Sequence, residues 1–359
     1  MSLSTREVKE LISQPSKAAE LAKLLYVSEE ELCIERKKKG KSFLYFNRGR
    51  QITNSKRIER FDKLVIPPAW EDVKICQLDN GHLQAVGIDT KQRKQYLYHP
   101  HWGEIRNQTK FFKMAAFGKV LPKIREQVDN DLDLPKMPQE KVLALIIRLM
   151  EETHIRIGND CYAKENKSYG LSTLRKRHVQ VSKGKMKFNF VGKKGKEHSI
   201  TLQDKKLIQL VNKCEEIPGW EVFKYYDENG QKHSIDSGMV NEYIQNVCGE
   251  IYSAKDFRTW SATKIFFEHL RKIGHSEIEK ERKSNILESY DAAADALGNT
   301  RSVCRSYYVH PMIPELYETG EIIPYFKKVE RKRTSKPHFS QTEEVLEEMM
   351  SDYELNLDE

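Results

Sequence analysis

The chain has 359 residues, 61 Lys and Arg against 53 Asp and Glu, a formal net charge of +8 and a hydrophobic share of 38%. That length carries two domains with cores of their own or one large one, and the composition is that of a soluble globular protein. No run of about 18 apolar residues occurs, which argues against a membrane span; six scattered cysteines without a C-x-x-C pair fit reduced thiols in a cytosol better than a disulfide frame or a zinc site.

The first stretch, "MSLSTREVKELISQPSKAAELAKLLYV", lacks an uninterrupted apolar segment and reads as an amphipathic helical start, not a secretory signal. Residues 36–110 hold strand-like runs, "SFLYF", "DVKICQL", "LQAVGID" and "KQYLYH", separated by Gly, Asn and Asp turn signals. Beyond them the period changes. "QEKVLALIIRLMEET" puts Val142, Leu145, Ile146 and Leu149 on one helical face, and "GMVNEYIQNVCGE" does the same with Val240, Tyr243, Ile244 and Val247 after an Asp-Ser cap. "DAAADALG" is an Ala-rich helix stopped by Gly298. Between these helices, "LRKRHVQV", "KMKFNFVG" and "EHSITL" predict a three-stranded antiparallel sheet with Met186, Phe188 and Phe190 on its buried face. The predicted class is α+β. A small β-rich N-terminal domain with an antiparallel sheet (1–112) precedes a larger, mainly α domain (113–340) that carries the small sheet. An acidic tail (341–359) is open between a surface segment and a short helix.

Four basic runs, "ERKKKGKS" (35–42), "KQRK" (91–94), "LRKRHV" (174–179) and "KKVERKRTSK" (327–336), interleave with Tyr45, Tyr96, Tyr98 and Trp102. Each run alone is ordinary solvated surface; together they suggest a track for phosphates. "DNDLDLPKMPQE" (129–140) mimics a calcium loop in its acidic spacing, but lacks the glycine of the sharp turn and carries prolines instead, so it reads as an acidic linker. No metal site is predicted.

The residues able to do chemistry lie far apart in the chain. Arg156 ("HIRIGND") and Arg258 ("AKDFRTW") sit beside helix ends, Lys193 ("FVGKKGK") at a hairpin tip, and Tyr307 and Tyr308 near the end of a helix in "GNTRSVCRSYYVHP". In order, R-I-G-N…Y-G-L-S-T-L-R-x-x-H-V, F-V-G-K-K-G-K, K-D-F-R-T and L-G-N-T-x-S-V-C-R-S-Y-Y-V-H-P resemble the small type IB DNA topoisomerases of bacteria and poxviruses. "KGKSFLYF", "LVIPPAWEDVKI" and "AVGIDTKQRKQYLYHPHW" look like that family's first domain, so the resemblance runs from about residue 36 to 320. It implies a catalytic domain of the tyrosine recombinase and topoisomerase IB type, with Arg156, Lys193, Arg258 and Asn299 around the nucleophile Tyr308. Tyr307 falls where the family usually has serine, and adjacent helical residues point about 100° apart, so only one ring can face a given phosphate. Arg301 stands where proline usually opens the tyrosine helix, leaving Thr300 as its N-cap.

The implied activity is relaxation of supercoiled duplex DNA through transient cleavage of one strand, a 3′-phosphotyrosyl intermediate and religation, without metal, ATP or other cofactor. The absence of a G-x-x-x-x-G-K-[ST] loop agrees with this. Implied DNA contacts are Gln95, Tyr96 and Tyr98 in the first domain and Tyr162 and Lys255 in the second; the tyrosines could equally be strand residues of a small core. A monomer clamping double-stranded DNA, cytoplasmic and nucleoid-associated, is the expected form. The alternatives are a tyrosine recombinase, which typically has H-x-x-R where this chain reads "KDFR", and a non-enzymatic DNA-binding descendant, which would have lost one of the five positions.

Overall fold

The computed structural model describes residues 5–40, 42–249 and 251–353. Lys41 of the first basic run, Glu250 and the last six residues of the acidic tail lie outside the described residues. The chain divides into two compact units between Phe112 and Lys113.

The first unit begins with helices α1 (Thr5–Ser13) and α2 (Pro15–Leu21), followed by an antiparallel sheet. Its strands are β1 (Ile34–Lys39), β2 (Ser42–Asn47), β3 (Arg50–Gln51), β4 (Glu71–Ile75), β5 (Leu83–Ile88) and β6 (Lys94–Tyr98), in spatial order β3-β2-β1-β4-β5-β6. Helix α3 (Ser55–Lys63) is capped by the Asn54 side chain and packs Phe61 against Tyr45, Ile34 and Ile75. β1, "IERKKK", has almost no apolar content, yet it is an inner strand pairing with both β2 and β4. Its cations are partly spent internally: the Arg36 guanidinium lies over the Phe43 ring and donates to the carbonyls of Ile66, Pro67 and Trp70, while Lys37 covers Phe46. Such contacts satisfy guanidinium donors and bury their stems on aromatic surface.

The phosphate track is therefore thinner than the sequence suggests. Tyr45 and Trp102 are buried, Arg93 pairs with Asp89, Lys94 with Glu29, Lys328 with Glu348 and Lys332 with Glu344. Tyr96 and Tyr98 do face outward, 42% and 45% exposed, with their rings stacked 6.1 Å apart; Leu97 between them turns to the core. That corrects the core-filling reading of these two tyrosines.

The 33-residue helix α4 (Pro100–Leu132) runs through the division between the units. Phe111, Met114, Phe117, Leu121, Ile124, Val128 and Leu132 recur every three or four residues along it and are buried. The rest of the second unit is mainly helical: α5 (Gln139–Thr153), α6 (Asp160–Asn166), α7 (Lys205–Glu216), α8 (Ser237–Cys248), α9 (Ala254–Ile273), α10 (Glu279–Leu297), α11 (Arg301–Tyr307), α12 (Met312–Thr319), α13 (Ile323–Arg331) and α14 (Gln341–Ser351). The predicted small sheet is β7 (Val179–Ser182), β8 (Lys185–Val191) and β9 (Glu197–Leu202), with Met186, Phe188 and Phe190 buried as expected. α5 buries more than one stripe, since Leu143, Ala144, Ile147 and Met150 join the expected face. The acidic 129–140 segment is occupied by its own chain: Asp129 pairs with Arg148, and the Tyr243 hydroxyl donates to Asp131. Among the described residues no helix is long and apolar enough to cross a membrane.

The acidic tail is not a loose appendage. α14 buries Val345, Leu346, Met349 and Met350, and Glu343, 1% exposed, accepts a two-pronged hydrogen bond from Arg125 on α4 and one from the Trp260 indole on α9. Burial would raise the Glu343 carboxyl, but the hydrogen bonds and charge of Arg125 outweigh it and hold the group at about 2. Removing one member of such a buried pair leaves the other charge uncompensated, at a cost of about 3–5 kcal/mol. Glu343→Ala is therefore expected to lower the unfolding free energy by about 3–5 kcal/mol, read as a lower urea midpoint. Because the native carboxyl is depressed, its contribution is complete above the unfolded carboxylate range and falls away as pH drops towards 2. Glu343→Gln should flatten the stability slope in that acidic window.

Candidate active site

Four of the five sequence-predicted catalytic side chains come together in the second unit as two contacting pairs, Arg156 with Asn299 and Arg258 with Tyr308, and the Arg156 charge acts on both Arg258 and Tyr308. α5 ends with His154 in the left-handed conformation (φ +54°), which reverses the chain and leads into the extended segment carrying Arg156. That segment is bonded to the loop before the small sheet: Leu171 N–H donates to Arg156 O at 2.8 Å and Ser172 N–H to Ile157 O at 2.7 Å. The two glycines of R-I-G…Y-G allow this approach. A Cβ on Gly170 would stand 2.4 Å from Arg156 O and 2.5 Å from Gly158 N, and Gly158 itself has φ +98°.

Arg258 lies on the second turn of α9. That helix starts at Ser253, whose N–H donates to Asp256; the Asp256 carboxylate also takes the Lys113 ammonium at 2.7 Å. The cap fixes the helix start and with it the direction of the arginine. The Arg258 guanidinium is 4% exposed and donates to the carbonyls of His154 and Leu297. Its Nε has no hydrogen-bond partner, and no carboxylate among the described residues pairs with either Arg258 or Arg156. Burial and the neighbouring Arg156 charge bring the Arg258 pKa down to about 10.

α10 closes at Gly298 (φ +60°) with Asn299 N–H bonded back to Ala294 O, and Thr300 caps α11 through Val303 N–H. Asn299 is thus clamped between two helix ends, where its Oδ1 accepts a hydrogen bond from Arg156. Arg301, in place of the usual proline, is held by both oxygens of Asp291, so the helix start keeps a cap and a tether despite losing the fixed φ. Tyr308 follows the last residue of α11 and packs partly buried against the main core, its ring 5.5 Å from the Arg258 guanidinium carbon. Tyr307 is 51% exposed. The Thr263 hydroxyl on α9 donates to Tyr308 O and accepts from His310 N–H, 3.2 Å each, and so pins the tyrosine backbone. Nothing in the sequence reading marked Thr263; its only signal is lying five residues past Arg258 on the same helix.

Lys193 sits on the β8–β9 turn, exposed, and lines a cavity of about 180 Å³ together with Arg156, Arg258 and Gly298. It is not in contact with the other four through any hydrogen bond. Lys196 of the same turn, which sequence reading passed over, donates to Asn299 O at 3.3 Å. Among the implied DNA contacts, Lys255 and Tyr162 are exposed in this unit; Gln95, which donates to Asp89, and Tyr96 and Tyr98 belong to the first unit.

Burial raises the Tyr308 phenol, but the charges of Arg258 and Arg156, a hydrogen bond with Arg258 and the Lys255 ammonium outweigh it, and the net shift is downward. Two guanidiniums beside a phenol, with no carboxylate among the described residues competing for them, favour the phenolate and can receive a further anion.

Comparison with known proteins agrees with this arrangement. The family model for the eukaryotic DNA topoisomerase I catalytic core matches residues 92–332, and the one for the bacterial DNA topoisomerase IB N-terminal domain matches residues 42–89. The DNA topoisomerase 1B of Acanthamoeba polyphaga mimivirus is 33% identical over 296 residues, covering 80% of this chain and 88% of the relative. DNA topoisomerase 1 of rabbit fibroma virus is 25% identical, over 66% of this chain and 73% of its own, and vaccinia virus DNA topoisomerase 1B is 22% identical, over 74% and 81%. The chain belongs to the type IB DNA topoisomerase family, whose members are isomerases.

The pKa shift has a measurable consequence. Tyr308 should ionise below the ordinary tyrosine value of about 10, so the alkaline rise of single-turnover DNA cleavage should come early. Arg258→Ala should move that rise to higher pH, since it removes the largest contribution holding the phenolate, and Lys255→Ala should move it less.

Proposed function

We propose that the protein relaxes supercoiled duplex DNA by reversible transesterification at Tyr308, without ATP or metal. The phenol oxygen attacks a phosphodiester, the bond from phosphorus to the 5′ oxygen breaks, and the strand is held as a 3′-phosphotyrosyl ester while the cut end swivels about the intact strand. Because the tyrosyl ester is of the same kind as the bond it replaces, the released 5′-hydroxyl can attack it and reseal the strand with no external energy source.

The observation that carries this reading is the buried Arg258 beside Tyr308 with no counter-anion. A buried guanidinium bonded only to neutral groups, here two carbonyls and a phenol, is costly unless an anion arrives. A phosphodiester meets that need, and Arg156 and Arg258 offer planar forks that fit its oxygens. Holding phenolate at pH 7 would cost about 4 kcal/mol for an unperturbed tyrosine; the same two cations reduce that cost and neutralise charge growing on the non-bridging oxygens. Asn299 adds a hydrogen bond to those oxygens. The departing deoxyribose oxygen is a poorer leaving group than phenolate, and Lys193 gives it a proton from the hairpin. Gln95, Tyr96, Tyr98, Tyr162 and Lys255 contribute contacts to the duplex.

Plasmid relaxation in EDTA without ATP tests the reading. The purified protein should relax DNA under those conditions, and Tyr307→Phe should still do so. Tyr308→Phe should abolish relaxation and the covalent adduct trapped on nicked DNA. Arg258→Ala should slow cleavage about a hundredfold or more. An adduct mapping to Tyr307, or relaxation surviving in Tyr308→Phe, would overturn the assignment.

A further inference from the structure

We propose that His198 is the positioning residue that seats the Lys193 hairpin against the Asn299 loop. The inference rests on the reading of Lys193 as general acid and extends it to the question of what aims that lysine. His198 lies on β9, opposite Phe190 of β8, and the two rings stack 5.0 Å apart at 12°. On its other sides the imidazole closes on two glycines. A Cβ on Gly192, the residue before Lys193, would stand 2.7 Å from the ring atoms Cδ2 and Nε2. A Cβ on Gly298, the residue before Asn299, would stand 2.4 Å from Cε1. Gly298 has a second reason to be glycine, its φ of +60° at the end of α10. Gly192 has none: its φ of −98° and ψ of −162° are open to any residue, so the side chain is missing there because the imidazole occupies its space.

One ring therefore bridges the root of the general-acid turn and the loop that presents Asn299. A second tie runs in parallel, from Lys196 Nζ to Asn299 O. The turn itself is closed by Gly192 N–H to Lys196 O at 2.7 Å and Gly195 N–H to Gly192 O at 3.1 Å, so fixing its root fixes where Lys193 projects. Burial, and then the charges of Arg156, Lys196 and Arg258, keep the imidazole below its ordinary pKa. His198 is accordingly neutral at pH 7 and acts through shape, as a spacer that adds no further positive charge to the site. Because it acts through Lys193, its loss should matter only when the leaving oxygen needs a proton.

That condition gives the test. Single-turnover cleavage would be measured on a duplex with the natural 5′-bridging oxygen and on one with sulfur at that atom, whose thiolate departs without protonation. His198→Ala should slow cleavage of the oxygen ester by tenfold or more, on the order of the smaller general-acid effects, and cleave the sulfur ester near the wild-type rate. Gly192→Ala, which forces the ring aside and leaves the imidazole in the protein, should give the same pattern, while His198→Phe, keeping a flat ring, should stay close to wild type on both. Equal losses of His198→Ala on both esters, or no loss on oxygen, would overturn the positioning role. Lys193→Ala run alongside separates the two failures. If sulfur rescues Lys193→Ala but not His198→Ala, only this inference falls; if sulfur does not rescue Lys193→Ala, the general-acid reading falls and takes this one with it.

Discussion

The guanidinium of Arg258 is buried with no carboxylate partner among the described residues, donating to two backbone carbonyls and sharing a hydrogen bond with the Tyr308 phenol, and the second unit is arranged around making that tolerable. One carbonyl comes from His154, exposed for the purpose by the left-handed residue that ends α5; the other comes from Leu297 at the end of α10. Helix C-termini carry partial negative charge on free carbonyls, so two of them pointing at one cation partly stand in for the absent carboxylate. A carboxylate in that place would neutralise the cation outright and leave it nothing to offer an incoming anion.

The same logic explains why the surrounding structure is so firmly tied. α9 carries both Arg258 and Thr263, so one rigid element sets the cation and pins the backbone of the tyrosine beside it. The helix is held at its start by the Asp256 cap and Lys113, and along its length by Trp260 against Phe339 and Glu343 of the C-terminal segment. A stretch that is acidic by composition thus serves as a buried brace on the far side of the arginine helix. Lys193 is the exception, being exposed on a turn with no hydrogen bond to the other four. A turn anchored at its root and free at its tip suits the proton-donor role proposed for Lys193, since such a donor has to reach its target only when the substrate is present.

The residue order R-I-G…Y-G, G-K-K-G-K, K-D-F-R and G-N-T…Y-Y pointed to five positions, and each motif encodes a backbone requirement as well as a side chain. Gly158 and Gly170 permit the close strand crossing at Arg156, Gly298 ends α10, and Thr300 caps the tyrosine helix. Small residues and caps of this kind are readable because only one or two residue types can fill them. The strands of the small sheet and the helices at 139–153 and 237–248 were legible for the simpler reason of periodicity.

Other features left no such trace. The strand "IERKKK" is charged nearly throughout and pairs only because β2 and β4 flank it and its cations find rings and carbonyls elsewhere in the unit. Whether Tyr45 and Trp102 are buried and Tyr96 and Tyr98 exposed depends on which neighbours cover each face, and composition is silent on that. By itself the sequence determined the family, the chain order of its motifs and most local elements, since these follow from short-range spacing and single-residue constraints. Only the tertiary structure decided which cations remain without an anionic partner, what the acidic C-terminal helix packs against, and that an imidazole from β9 fills the space above two glycines, because each of these is a contact between residues separated by many positions along the chain.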